Sequence, residues 1–411
     1  FFFKQKTAYE ILTCDWSSDV CSSDLRRNRT RGCPPCPRVP RSRARCAHPR
    51  RRGDERAARR NLRRTVTLGV ALIAFLAAAL ISLVGTELVR TLALRYGIAD
   101  HPNERRINTR PVPRAGGVAV AVSFVAVGAL LVLAAVPLGI ASGRVPISSG
   151  GIAALLIGTL VAALLGFIDD RFDLRARWQF ATQLAVALVP IVFGLRIAVL
   201  TNPFGSSDLI LPDALGLGVT IFWIIGMQNA MNFIDGLDGL SGGIAAIAAL
   251  TLAVIAAPTT PLLSALCIAL AGALVGFLRH NVYPASIYIG TSGILSVAYA
   301  LAAISLLGTA KVAAALLILG VPIIDAFFVI SGRIAAGRSP FSPDNTHIHR
   351  RLLDAGIGHR SAVLVIYAIT VALSLAALLL TGSAALYAFA GVLVALGAVI
   401  LYLSRRGEEG R

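Results

Sequence analysis

The chain is 411 residues long, 56% of them apolar and only 15% charged, which excludes a water-soluble domain of ordinary surface and puts most of the chain in lipid. The net charge of +18 has the size of a nucleic-acid binder's, but residues 1–64 hold 18 of the 39 Lys and Arg and only 6 of the 21 acids, so the remainder has the balance of a bacterial membrane protein and no nucleic-acid partner is expected. Five of the six cysteines precede residue 64 and the sixth, Cys267, reads as a small apolar packing residue, so no disulfide framework is expected.

Residues 1–64 come first in chain order. The opening FFFKQKTAYEILTCDWSSDVCSSDL has neither helix nor strand period and resembles translated sequencing-adapter sequence. The stretch 26–64 is rich in Arg and Pro and reads like upstream GC-rich DNA translated in frame; the two methionines of the chain are Met227 and Met231. The expectation is a non-native or disordered leader over 1–64 and a single integral-membrane domain over 65–411. The rival readings are a zinc knuckle from Cys33, Cys36, Cys46 and His48, whose spacing matches no familiar zinc module, and binding of nucleic acid or anionic lipid by the arginines. No small-residue cleavage site follows the apolar run at 66–84, so a signal peptide is not expected.

From Val66 onward, apolar runs long enough to cross a bilayer as helices alternate with short polar breaks. They predict an all-α polytopic membrane protein with eleven spans: 66–88, 117–138, 150–168, 178–198, 214–233, 241–257, 261–279, 287–308, 310–331, 361–381 and 383–403. Loops after odd-numbered spans, with the C-terminus, carry eighteen Arg; the opposite loops carry only Arg144, Arg196 and Lys311. The positive-inside rule makes the odd loops cytosolic, with the N-terminus outside and the C-terminus in the cytosol. The sixteen arginines before residue 64 would oppose that rule, a second reason to set the leader apart. The expected location is the bacterial inner (plasma) membrane.

The acids sort the same way. Nearly all after residue 64 fall on or near the cytosolic face, with Asp208 and Asp213 the clear exceptions, so the polar part of a substrate is expected from the cytosol. A transporter would need ionisable residues at mid-bilayer; the best candidate, Asp325, lies towards the cytosolic end of its span.

Four segments carry chemistry. After the first span, Asp100-His-Pro-Asn-Glu-Arg-Arg-Ile-Asn-Thr-Arg110-Pro-Val-Pro-Arg114 is shaped by prolines, and Arg110 or Arg114 could hold a diphosphate. Gly166-Phe-Ile-Asp169-Asp170 ends the third span with two adjacent carboxylates, which repel unless a cation or proton relieves them. They read either as a solvated helix end or as a Mg²⁺ or general-base site. Asn229-Ala-Met-Asn232-Phe-Ile-Asp235-Gly-Leu-Asp238-Gly joins spans five and six. Asn229 and Asn232 share a helix face, and Gly236 and Gly239 permit the turn that sets Asp235 and Asp238 on one polar edge. The long loop before span ten carries Asp344-Asn-Thr-His347-Ile-His349-Arg350-Arg351, with Arg333 upstream; paired histidines among arginines favour a phosphate over Zn²⁺.

Taken in order, G-F-I-D-D, N-A-M-N-F-I-D-G-L-D-G-L and S-P-F-S-P-D-N-T-H-I-H resemble the polyprenyl-phosphate N-acetylhexosamine-1-phosphate transferases over residues 66–405. The last motif is more similar to the N-acetylglucosamine branch than to the muramoyl-pentapeptide branch. The resemblance implies transfer of N-acetylglucosamine 1-phosphate from a cytosolic UDP-N-acetylhexosamine to a polyprenyl phosphate in the lipid bilayer. UMP leaves, and Mg²⁺, or Mn²⁺ in its place, neutralises the diphosphate. By matching motif positions, Asp169 and Asp170 would activate the lipid phosphate or bind metal, with His347 and His349 on the phosphates. Asn229, Asn232, Asp235 and Asp238 would hold nucleotide or metal, the metal set being Asp170, Asp235 and Asp238, and Arg110, Arg114 and Arg333 would bind substrate. A homodimer is the assembly to be tested. Thr291 stands where most members carry a metal-binding Asp, so weaker Mg²⁺ binding is expected, and a non-catalytic relative that binds polyprenyl phosphate or nucleotide sugar is the alternative.

Overall fold

The computed structural model describes residues 49–100, 111–141, 143–205, 207–308, 312–339 and 346–409. It divides into two compact units, Phe1–Arg56 and Ala57–Arg411. Within the first, the described part is the beginning of helix α1 (Pro49–Arg95). The second is helical almost throughout: α2 (Gly117–Ala134), α3 (Ser149–Phe172), α4 (Ala176–Val192), α5 (Asp213–Ile234), α6 (Leu240–Ala256), α7 (Pro261–Asn281), α8 (Gly290–Leu307), α9 (Val312–Ile318), α10 (Gly320–Ala335), α11 (Ile348–Asp354), α12 (His359–Leu379) and α13 (Ser383–Glu409). Two short antiparallel pairs complete it, β1 (Ala99–Asp100) with β2 (Val112–Pro113) and β3 (Val199–Leu200) with β4 (Leu209–Ile210).

Local chemistry sets the helix ends. Ser148 caps α3 by accepting the Gly151 N–H at 3.0 Å. Its other end closes at Asp173, which takes a left-handed backbone with φ 49°, a conformation Asp tolerates better than most residues. Pro261 opens α7, where a missing N–H costs nothing.

A helix stands at each of the eleven expected spans. Seven described helices are long and apolar enough to cross a membrane, or eight if the bent pair α9–α10 is one span. The other three positions hold α4, α6 and the apolar part of α13, Ser383–Val399, all shorter. The ninth expected span is where sequence and structure part most: α9 and α10 meet at 82° around Leu319. The polar loop after it also folds a further helix, α11.

Helices meet through small residues, as expected where no water drives association and backbones must approach closely. A Cβ on Gly117 would come within 1.9 Å of the Gly293 backbone, and one on Gly166 within 2.5 Å of Ser292 Cα. Gly158 leaves room for the Tyr299 ring, whose hydroxyl donates to the Ala154 carbonyl at 2.7 Å. Trp223 of α5 donates to Ser305 Oγ of α8 at 3.2 Å, so its indole is not stranded in the apolar core. Large side chains such as Leu133, Val192, Phe222 and Leu379 remain exposed, as an outer surface turned to lipid requires.

Candidate active site

The adjacent carboxylates at the end of α3 take different partners. Asp169 is buried; its Oδ1 accepts the Leu174 N–H at 3.0 Å and Gln179 Nε2 at 3.1 Å, which fastens the turn from α3 into α4. Asp170, also buried, accepts the Thr291 N–H on Oδ1 at 2.7 Å and the Ser292 N–H on Oδ2 at 3.0 Å. Those are among the unpaired N–H groups of α8's first turn, so Asp170 caps a helix 121 residues away in sequence, with the helix dipole in its favour. Gly290 makes the approach workable: its φ is +70°, and a Cβ there would lie 2.6 Å from Asp170 Oδ2. Mutual repulsion of the two carboxylates is relieved by separate N–H donors.

The loop between α5 and α6 lies against this corner. Asp235, half-buried, accepts from Ser241 Oγ at 2.5 Å. Burial, then the negative charges of Asp238 and Asp170, push its carboxyl up to about 6, against the pull of the Ser241 bond. Asp238 Oδ2 accepts the Ala285 N–H at 2.9 Å, and Asn281 holds the loop by accepting the Gly239 N–H at 3.1 Å and donating to Ile287 O at 3.0 Å. Gly239 takes φ +80°, and its carbonyl accepts from the Tyr367 hydroxyl of α12. Asn229 and Asn232 differ in place. Asn229 donates to Gln183 Oε1 of α4 at 2.9 Å and to Ile225 O at 2.9 Å, a polar tie between helices, whereas Asn232 is exposed.

The histidines arrive from α11. His347 Nδ1 lies 2.8 Å from Asp325 Oδ2, and its ring stacks on His349 with centroids 5.5 Å apart and planes 8° from parallel. His349 is buried against Gly236; a Cβ on that glycine would fall 1.9 Å from His349 Nε2. Burial is the main reason the His349 imidazolium is disfavoured, its pKa falling to about 4; the Asp325 charge opposes this and the His347, Arg350 and His359 charges add to it. Phe233 lies tilted against His347 at 5.5 Å, and the buried Arg333 guanidinium sits 5.2 Å over the Phe233 ring. Arg114 lies 3.6 Å from Asp173 and within electrostatic reach of Asp170. Arg110 and Asp344 lie outside the described residues.

Of the expected residues, Asp170, Asp235, Asp238, His347 and His349 lie where the ends of α3 and α5 meet the starts of α8 and α11. Asp170 and Asp235 are coupled by charge, and Gly236 touches His349. Ser241, Gln183 and the contact made by Gly236 had no signal in sequence spacing. Asp325 did have one, as an acid within an apolar span. Among the described residues no three His, Cys, Asp or Glu side chains come together as a self-sufficient metal cage. Mg²⁺ is more often held by one or two carboxylates completed by substrate phosphates, and the donor chemistry of Asp235 and Asp238 fits that mode. A divalent cation beside them would offset the repulsion that raises Asp235.

Residues 152–309 match the sequence profile of glycosyl transferase family 4. The chain is 35% identical over 315 residues to a probable undecaprenyl-phosphate N-acetylglucosaminyl 1-phosphate transferase of Bacillus subtilis, covering 75% of this chain and 84% of that protein. It is 34% identical over 366 residues to the decaprenyl-phosphate N-acetylglucosaminephosphotransferase of Mycolicibacterium smegmatis, covering 82% and 89%. Identity with the undecaprenyl-phosphate alpha-N-acetylglucosaminyl 1-phosphate transferase of Escherichia coli is 28% over 289 residues, 67% of this chain and 75% of that one.

Proposed function

The chain belongs to glycosyl transferase family 4, and from that premise we propose that it transfers N-acetylglucosamine 1-phosphate from UDP-N-acetylglucosamine to a polyprenyl phosphate at the cytosolic face of the bacterial inner membrane. A phosphate oxygen of the lipid attacks the β-phosphorus of the nucleotide sugar. The bond from that phosphorus to the bridging oxygen breaks, UMP leaves, and polyprenyl diphosphate N-acetylglucosamine remains as the first lipid-linked unit of a cell-envelope glycan. The observation that carries the reading is the convergence of Asp170, Asp235, Asp238 and His349 from three motifs more than a hundred residues apart at their extremes.

A phosphate monoester is already anionic near neutral pH, so the nucleophile needs placement and charge relief more than a strong base. Asp235 and Asp238 would hold Mg²⁺, which supplies charge neutralisation on the diphosphate. Arg333 and Arg114 supply hydrogen-bond donors and positive charge for phosphate oxygens, and His347 and His349 supply ring nitrogens for hydrogen bonds to the substrates. Asp170 keeps the first turn of α8 beside Asp235, and Asp169 keeps the α3–α4 turn from shifting it.

The test is transfer of labelled sugar phosphate by membranes expressing residues 65–411, with Mg²⁺ titrated. Mg²⁺-dependent product, lost in Asp235→Asn, is the expected result; no product beside an active relative overturns the reading. Thr291→Asp adds a hard anionic oxygen next to Asp170, at a helix N-terminus that favours negative charge, so half-maximal activity is expected at about tenfold lower Mg²⁺.

A further inference from the structure

Asp325 is 2% exposed on α10, and an ionised side chain survives such burial only when its oxygens are fully engaged. Its two oxygens have separate duties. Oδ1 accepts the Ile348 N–H at 2.7 Å, which holds the start of α11. Oδ2 lies 2.8 Å from Nδ1 of His347. A carboxylate has no proton to give, so the imidazole must be the donor, with its proton on Nδ1. Nε2 is then the nitrogen left to meet a ligand.

The rest of the ring is also constrained. His347 is the extended residue just before a seven-residue helix, with φ −61° and ψ 148°, so its backbone alone does not aim the side chain. Its faces are set by parallel His349 and tilted Phe233, each with centroids 5.5 Å away. Since α10 packs along α5, which carries Phe233, the carboxylate and the aromatic wall are fixed to the same pair of helices.

We infer that Asp325 is a positioning residue for His347: it fixes the ring's tautomer and direction, presenting the Nε2 lone pair as acceptor to a hydrogen-bond donor of the substrate pair, a hydroxyl of the nucleotide sugar. This rests on the proposed transfer reaction for its activity readout. Asp325→Asn separates the two duties. The amide oxygen can still accept the Ile348 N–H, but the amide nitrogen can only donate to Nδ1, which drives the ring proton to Nε2.

The experiment measures kcat and KM for the detergent-purified full chain and for Asp325→Asn, His347→Ala and the double variant, with ¹⁵N spectra of the histidine rings. Asp325→Asn is expected to lower kcat/KM by roughly 10–100-fold, the scale of losing an orienting partner, while the thermal unfolding midpoint holds. In the His347→Ala background the same change should cost nothing further, because its effect passes through that ring. An equal loss in both backgrounds overturns the inference and leaves Asp325 a mere tether for α11. At pH 8 the wild-type His347 ring should carry its proton on Nδ1; a proton on Nε2 overturns the inference even where Asp325→Asn does not fold. If the wild type transfers no N-acetylglucosamine 1-phosphate, the functional reading fails, and the spectra alone still decide the role of Asp325.

Discussion

Gly236 has no side chain because His349 occupies the space where one would be. Gly236→Ala should displace the His349 ring, which can swing away, so the cost falls on function more than on folding. A displacement of about 1 Å at a reacting site can cost on the order of 100-fold in rate, and a 10- to 100-fold loss of transfer with a nearly unchanged unfolding midpoint is expected. His349 also links stability to pH. Its folded-state pKa lies near 4 and its unfolded value near 6.5, so the unfolded chain binds a proton that the folded chain refuses between those values. Stability from this group is therefore intact above about pH 6.5 and is lost as pH falls towards 4, by about 2 kcal/mol between pH 7 and pH 5. Thermal unfolding in detergent at the two pH values should show that slope in the wild type and a shallower one in His349→Asn.

Helices α3 and α8 pack closely beside the site. Gly166 lets α3 approach until a Cβ would meet Ser292 N and Thr291 O at 2.6 Å, and it is this approach that brings Asp170 onto the first turn of α8. Those are backbone atoms and cannot rotate aside. Gly166→Ala should therefore part the helices, lower stability by about 1–3 kcal/mol and reduce transfer as the Asp170 cap is lost. Gly226→Ala on α5 is the control: nothing lies within 4 Å, and replacing a helical glycine there should raise stability by up to about 1 kcal/mol. The measurement is the unfolding midpoint of both variants beside the wild type.

Across the whole molecule, the charge asymmetry of the loops makes a topological prediction. Phe204, exposed between β3 and β4, belongs to a loop expected outside, and the exposed Arg338, just past α10, to one expected in the cytosol. In a chain of residues 65–411, whose single cysteine Cys267 is buried, an impermeant thiol reagent on intact cells should label Phe204→Cys and spare Arg338→Cys. Inverted vesicles should reverse the pattern. Equal labelling of both positions from one side would sink the assigned orientation.

The all-α membrane class and the positions of the apolar helices were legible in the sequence because bilayer thickness and the cost of unpaired backbone leave few alternatives. The candidate site was legible because carboxylates, amides and histidines are expensive near lipid and stand out against an apolar background. What only the tertiary structure decided is which of them meet. No local spacing says that Asp169 turns to Gln179 while its neighbour Asp170 caps α8, or that Asn229 is taken up by Gln183 while Asn232 stays exposed. Nor does the apolar run at 310–331 reveal that it bends by 82°, since hydropathy records a segment's preference for lipid and not its direction. Composition sets where a residue can be buried without penalty; partners remote in the chain set which atom it finds there, and that second question is settled by packing.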